Sequence, residues 1–191
     1  MQQAVNTKER IILGIDPGTA VMGYGLIKEI GSKTELISLG VVKMDKIDDH
    51  MLKLQRIFEK TVALIDNYKP DCLAIEAPFY GKNIQVMLKL GRAQGVAMAA
   101  ALSRSVEVTE YSPRKIKQSI TGNGNATKEQ VAAMLQRLLN FQETPDFLDA
   151  TDGLAVAVCH SFQKISTAKS GSKKSYSGWD TFVKDNAKRI V

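Results

Sequence analysis

Arg10 to Gly18 reads RIILGIDPG: four branched apolar residues, Ile11, Ile12, Leu13 and Ile15, run into an acid, Asp16, and then into the turn pair Pro17-Gly18. An apolar run of that length, stopped by a carboxylate and a turn signal, is the pattern of a central buried strand ending at a charged group. Working outward, Tyr24–Ile30 and Thr34–Met44 read as two further strands joined through Gly31-Ser32-Lys33 as a hairpin. From Asp49 to Tyr68, Met51, Leu54, Phe58, Val62 and Ile65 recur at spacings of three and four, which predicts an amphipathic helix ended by Pro70 and Asp71. Cys72–Ile75 (CLAI) predicts a short buried strand that again stops at an acid, Glu76.

Asn83–Leu102 predicts a long helix suited to close packing, because it carries Gly91, Ala93, Gly95, Ala97, Ala99, Ala100 and Ala101. Val106–Tyr111 is strand-like. Thr127, with Gln130 three places on, is a capping box that opens a helix, and a last helix is expected over Leu148–Phe162. Met51, Met87, Met98 and Met134 fall on apolar helical faces and are expected in core or dimer packing. The order, βββαβαβ and then helices, predicts an α/β fold: a mixed five-stranded sheet flanked by helices.

At 191 residues the chain suffices for one well-packed domain. It is 44% hydrophobic and 24% charged, as a soluble protein is, with 26 basic against 20 acidic residues and a formal net charge of +6. That basicity makes a polyanion a partner worth testing. The charge is uneven, however. Residues 164–191 hold seven basic and two acidic residues, +5 of the +6, and are rich in Ser, Gly and Lys. The expected division is a nearly neutral domain over 1–163 and a flexible basic extension over 164–191, with a short amphipathic end around Trp179, Phe182 and Val183. Runs such as Gly95–Leu102 fall far short of the roughly 20 apolar residues of a membrane span. The first ten residues, MQQAVNTKER, have no apolar core, so no secretory signal is expected and the cytoplasm is the expected compartment, with Cys72 and Cys159 as buried thiols.

Four acids stand out of place. Asp16 and Glu76 end two apolar strands, where ligand sites of open α/β sheets gather. Asp149 and Asp152, one turn apart, sit on one face at the start of an otherwise apolar helix. A capping role explains either of that pair alone. Four like charges around one pocket repel and are costly to desolvate, and divalent cations remove both penalties. An all-oxygen donor set suits Mg²⁺ or Mn²⁺ rather than Zn²⁺. Two such ions about 4 Å apart serve in-line phosphoryl displacement, so the expected reaction is metal-dependent phosphodiester hydrolysis.

GIDPG at Gly14–Gly18, GYG at Gly23–Gly25, AIE at Ala74–Glu76, LKLGRAQGV at Leu88–Val96 and DATDGLAVAVCH at Asp149–His160, in that order, resemble the RuvC family of Holliday-junction resolvases. The resemblance implies a ribonuclease-H-like fold, a homodimer, two Mg²⁺ per subunit with Mn²⁺ able to substitute, and symmetric cuts in a four-way junction that leave 5′-phosphates. By similarity, Asp16, Glu76, Asp149 and Asp152 match the catalytic and metal-binding acids. Phe79 matches an aromatic placed beside a junction base, with Lys82 in the same loop; the alternative for Phe79 is a core aromatic. Arg114, Lys115, Lys117 and Lys128 lie in a stretch without acids, and Lys117 and Lys128 match positions that contact DNA near the scissile phosphate. Asn123-Gly124-Asn125 between them is expected to be a flexible loop; a merely solvated basic loop is the alternative. The resemblance further implies the RuvA–RuvB branch-migration complex as a partner, and it leaves the extension 164–191 without a counterpart.

Two other classes compete. Asp16-Pro-Gly-Thr19 followed by Gly23-Tyr-Gly25 also resembles the first phosphate loop of actin-like ATPases and sugar kinases, which need a second, duplicated domain. A junction-binding relative without cleavage would have no need of four acids. His160 lies about 12 Å along the helix from Asp152, too far to share a metal, and is expected to be packed. His50 is expected at an exposed helix start, and Trp179 is a candidate for a DNA or partner contact.

Overall fold

The apolar run at Ile11–Ile15 becomes the middle of the sheet in the protein's structure, a computed structural model describing residues 9–78, 83–141 and 148–167, with side chains as far as Gln163. Strands β1 (Glu9–Asp16), β2 (Val21–Ile30), β3 (Lys33–Lys43), β4 (Cys72–Glu76) and β5 (Glu107–Tyr111) lie in the order β3-β2-β1-β4-β5. β1 runs antiparallel to β2 and parallel to β4, and β4 runs parallel to β5. The sheet is therefore mixed and five-stranded, as its sequence predicts. The hairpin turn is tighter than expected: Gly31, at φ 63°, and Ser32 form it, while Lys33 already pairs with Ile30. Glycine suits that left-handed backbone.

Alternation along the central strands sends side chains to two separate cores. Leu13, Ile15, Leu73 and Ile75 face α1 (His50–Tyr68) and α2 (Ile84–Leu102), packing with Ile57, Leu64, Ala93 and Ala97. Ile12, Cys72 and Ala74 face α5 (Leu148–Thr167), with Ile116 of α3 (Pro113–Thr121) and Val131 and Leu135 of α4 (Lys128–Leu139) completing that side. Both cysteines are buried, as expected. Among the described residues no helix is long and apolar enough to cross a membrane.

Several expectations need correction. α1 starts as predicted, capped by Asp49, but its buried face is Leu54, Ile57, Thr61, Leu64 and Ile65; Met51 is 68% exposed and Phe58 39%. The three- and four-residue spacing of Met51, Leu54 and Phe58 thus marked the edge of the stripe rather than its centre. Met98 and Met134 pack against the two cores as expected, and Met87 is half-buried. His50 is half-buried, not exposed. α3 is a helix where the sequence reading had only a basic stretch. Ser112 caps it, Pro113 occupies its first turn, Ile116 and Ile120 bury one face, and Gly122 ends it in the left-handed region. α5 continues past Phe162 to Thr167, into the segment assigned to the extension; the rest of 164–191, including Trp179, lies outside the described residues.

Candidate active site

Register brings the first two acids together. Ile15 of β1 pairs with Ile75 of the parallel β4, so Asp16 and Glu76 end adjacent strands side by side. The second pair arrives on α5, which lies on β1 and β2 at backbone contact distance. A Cβ on Gly14 would stand 2.3 Å from the Gly153 carbonyl oxygen, one on Gly25 would stand 2.4 Å from Leu154 Cα, and one on Gly153 would stand 2.5 Å from the Gly23 and Tyr24 backbone. Any side chain there would lift the helix off the sheet. The glycines of the GID and GYG stretches therefore serve helix-to-sheet packing.

With α5 seated, Asp149 in its first turn and Asp152 one turn later reach the strand ends. Asp16, Glu76 and Asp152 line one cavity of about 670 Å³, together with Arg114 and Lys117 of α3, Asn125, and Lys128 at the start of α4. Asp149 joins through Lys128, whose ammonium donates to Asp149 Oδ1 at 3.2 Å and to Asp152 Oδ2 in a shorter contact. Lys128 follows the N-cap Thr127, whose capping box with Gln130 forms as predicted.

The electrostatics are those of crowded, part-buried carboxylates. Burial, then the charges of Asp152 and Asp149, push Asp16 from 3.8 up to about 6, with Lys128 opposing. Burial, then Asp16 and Asp152, push Glu76 from 4.5 up to about 8, against Lys128 and Lys117. Asp152, whose side chain is 15% exposed, is also raised, chiefly by burial, although the Lys128 hydrogen bond lowers it. Burial works against the Lys128 charge, yet the hydrogen bonds to and charges of Asp152 and Asp149 raise its pKa. Among the described residues no three His, Cys, Asp or Glu side chains stand in ready geometry for one ion, and Lys128 bonds both Asp149 and Asp152. The donor set still fits a hard divalent cation: carboxylates only, partly desolvated, and destabilised by one another.

The structure separates the other predicted residues. Arg114, Lys117 and Lys128 line the cavity; Lys115 is exposed on α3 and does not. Phe79 and Lys82 lie outside the described residues. The loop expected to be flexible is tied down: Gln118 accepts from Gly124 N–H at 3.0 Å and donates to the Gly122 carbonyl at 2.6 Å, and Asn125 N–H donates to Asn123 Oδ1 at 3.0 Å. His160 is packed as expected, 8% exposed and hydrogen-bonded to Arg10 and Tyr111. The sequence reading missed Gln94. Buried in α2, it donates to the Glu76 carbonyl at 3.3 Å and to Glu110 at 2.9 Å, tying α2 to the strand end that carries an acid. A long polar side chain within a helix face of alanines was the available signal.

This strand order, with acids from two strand ends and one helix around a cavity, defines a ribonuclease-H-like hydrolytic nuclease. The solved structure of Thermus thermophilus RuvC in complex with a Holliday junction substrate superposes with a TM-score of 0.77 at 30% identity, covering 83% of this chain and 96% of that one. Residues 12–160 match the family "Crossover junction endodeoxyribonuclease RuvC". The enzyme of that name from Christiangramia forsetii is 60% identical over 99% of this chain and 97% of its own length, and that from Porphyromonas gingivalis is 53% identical over 97% and 100%. The chain belongs to the RuvC family of crossover junction endodeoxyribonucleases.

Proposed function

We propose that the chain resolves Holliday junctions in DNA recombination and repair by cutting two strands symmetrically. Asp16, Glu76, Asp149 and Asp152 hold two Mg²⁺ ions per subunit, with Mn²⁺ an adequate substitute. The observation that carries this reading is the meeting of Asp16, Glu76 and Asp152 with Arg114, Lys117 and Lys128 on one cavity. When bound, the divalent ions lower the pKa of a coordinated water and neutralise charge on the scissile phosphate. The acids fix where those ions stand, and the half-buried site limits competing water. Arg114, Lys117 and Lys128 line the same cavity as the acids, where a cation stabilises charge developing in the transition state. Hydrolysis in this sense leaves a 5′-phosphate and a 3′-hydroxyl.

Phe79 and Lys82 follow Glu76 closely in sequence, and we assign them to base stacking and backbone contact. Lys115 contributes less, as its side chain does not line the cavity. Two symmetric cuts call for two sites, hence a homodimer. α2 offers the surface: Ile84 is 70% and Leu88 52% exposed, and nothing lies within 4 Å of a Cβ built on Gly91 or Gly95. Ala93, Ala97, Ala100 and Ala101 bury the other side of the same helix. The nuclease domain closes with α5 at Thr167 rather than at 163, the basic extension beyond it adds phosphate affinity, and the enzyme works in the cytoplasm with RuvA–RuvB supplying junctions.

A synthetic four-way junction and a linear duplex of the same sequence, each with Mg²⁺ or with EDTA, test the proposal. Paired cuts in the junction alone, and only with Mg²⁺, are expected. Equal cutting of the duplex would contradict junction selectivity, and cutting in EDTA would contradict the role of metal.

A further inference from the structure

Lys128 is placed where a lysine is least expected to rest. It is the first residue of α4, and the N-terminal end of a helix carries partial positive charge that disfavours a cation. Its ammonium turns instead to the start of α5, bonding Asp149 Oδ1 at 3.2 Å and, more closely, Asp152 Oδ2. Asp152 is a cavity wall shared with Asp16 and Glu76. The ammonium therefore uses the carboxylate oxygens that a divalent cation would need. A cation of that class binds carboxylate oxygens at about 2.1 Å, which would set two positive centres against each other within a few ångströms. Lysine is suited to leaving: it is a single flexible stem with a compact charge, and here it is 49% exposed along the side chain.

We propose that Lys128 is a resident counter-ion whose ammonium competes with a divalent cation for Asp149 and Asp152, so that cation binding there releases it into the cavity. The released ammonium joins Arg114 and Lys117 on the wall a phosphate would face. One side chain thus serves two charge states of the site in turn. It compensates the acids before cation binding and becomes a phosphate contact afterwards, which orders cation loading ahead of strand engagement. The proposal rests on the metal-binding reading of the four acids.

Calorimetric titration of the full chain with Mn²⁺, without DNA, tests it. Lys128→Met should tighten Mn²⁺ binding by about tenfold, whereas Lys117→Met, which removes a cavity charge not bonded to these acids, should change it by less than about threefold. Lys128→Arg, with a fork that can hold both carboxylates, should weaken binding several-fold. Lys128→Met binding no more tightly than Lys117→Met, or Lys128→Arg binding more tightly than the native chain, would overturn the exchange. Asp152→Asn and Asp16→Asn separate this from failure of the underlying reading: if both bind Mn²⁺ as the native chain does, the acids are not the ligands, and the exchange falls with them.

Discussion

The carbonyl oxygen of Asp149 lies directly over Gly23, so close that a Cβ at that glycine would stand 1.8 Å from it. The chain position that presents Asp149, an acid we propose as a metal ligand, is thereby set by the absence of a side chain on β2. Gly23→Ala must push α5 away from the sheet, and overpacking of this kind costs about 1–3 kcal/mol. Urea denaturation should show that loss, and cleavage should fall further than stability explains, since Asp149 and Asp152 move with the helix. A variant as stable and active as the native chain would show that α5 is not held by this contact.

The acid cluster should make the protein without divalent cations less stable as pH rises. Glu76, pushed up to about 8, and Asp16, pushed up to about 6, bind protons more tightly when folded than when unfolded. Their stabilising protonation is complete below the ordinary carboxylate range, and it is lost as pH climbs to the folded values. In EDTA the unfolding free energy should therefore decline between about pH 5 and 8.5, and Glu76→Gln should be the more stable protein at pH 8, by on the order of 1–3 kcal/mol. Thermal melts of the two proteins across that range give the difference directly. A Glu76→Gln chain less stable than native at pH 8 would contradict the crowding of the cluster.

Arg114 and Lys117 line the cavity and Lys115 does not, although all three stand within four residues on α3. Fluorescence anisotropy with a labelled junction in Ca²⁺ should show that Arg114→Ala and Lys117→Ala each reduce the slope of log affinity against log salt by about one. Lys115→Ala should reduce it by clearly less. Equal effects from all three would mean that the wall facing DNA is the exposed side of α3 rather than the cavity.

Gly91 and Gly95 face open space on α2, with Leu88 one turn away. A charge there should prevent a second copy from seating while leaving the buried alanine face untouched. The native chain is expected to sediment as a dimer at micromolar concentration, and Gly91→Glu as a monomer. A dimeric Gly91→Glu would place the subunit interface elsewhere.

Much of the architecture was legible because the central strands are short, continuous apolar runs that end at charges: Ile11–Ile15 and Cys72–Ile75 could be placed at the middle of a sheet from their composition alone. The acids were legible for the same reason, since Asp16 and Glu76 interrupt apolar runs and Asp149 and Asp152 open one. What was not legible depends on three-dimensional approach. Gly23 and Gly25 resemble part of a phosphate loop in sequence and Gly14 is an unexplained gap in an apolar strand, and only the seating of α5 shows their packing role. α3 was overlooked because its four polar or charged side chains between Arg114 and Gln118 masked Ile116 and Ile120, the two residues that anchor it. In α1, Met51 and Phe58 share the helical period with Leu54 yet stay exposed, because a period fixes a face only to within a residue or so. Gln94 and the bridging position of Lys128 involve partners distant in sequence, which no local pattern encodes.

The acids at the strand ends are expected to perform hydrolysis rather than hold DNA. The most direct test is single-turnover cleavage of a four-way junction in Mg²⁺ by the native chain and by Asp16→Asn, with junction affinity measured in parallel. The expected result is unchanged or tighter binding with cleavage reduced at least about a thousandfold. Cleavage by Asp16→Asn at the native rate would contradict the assignment of the site.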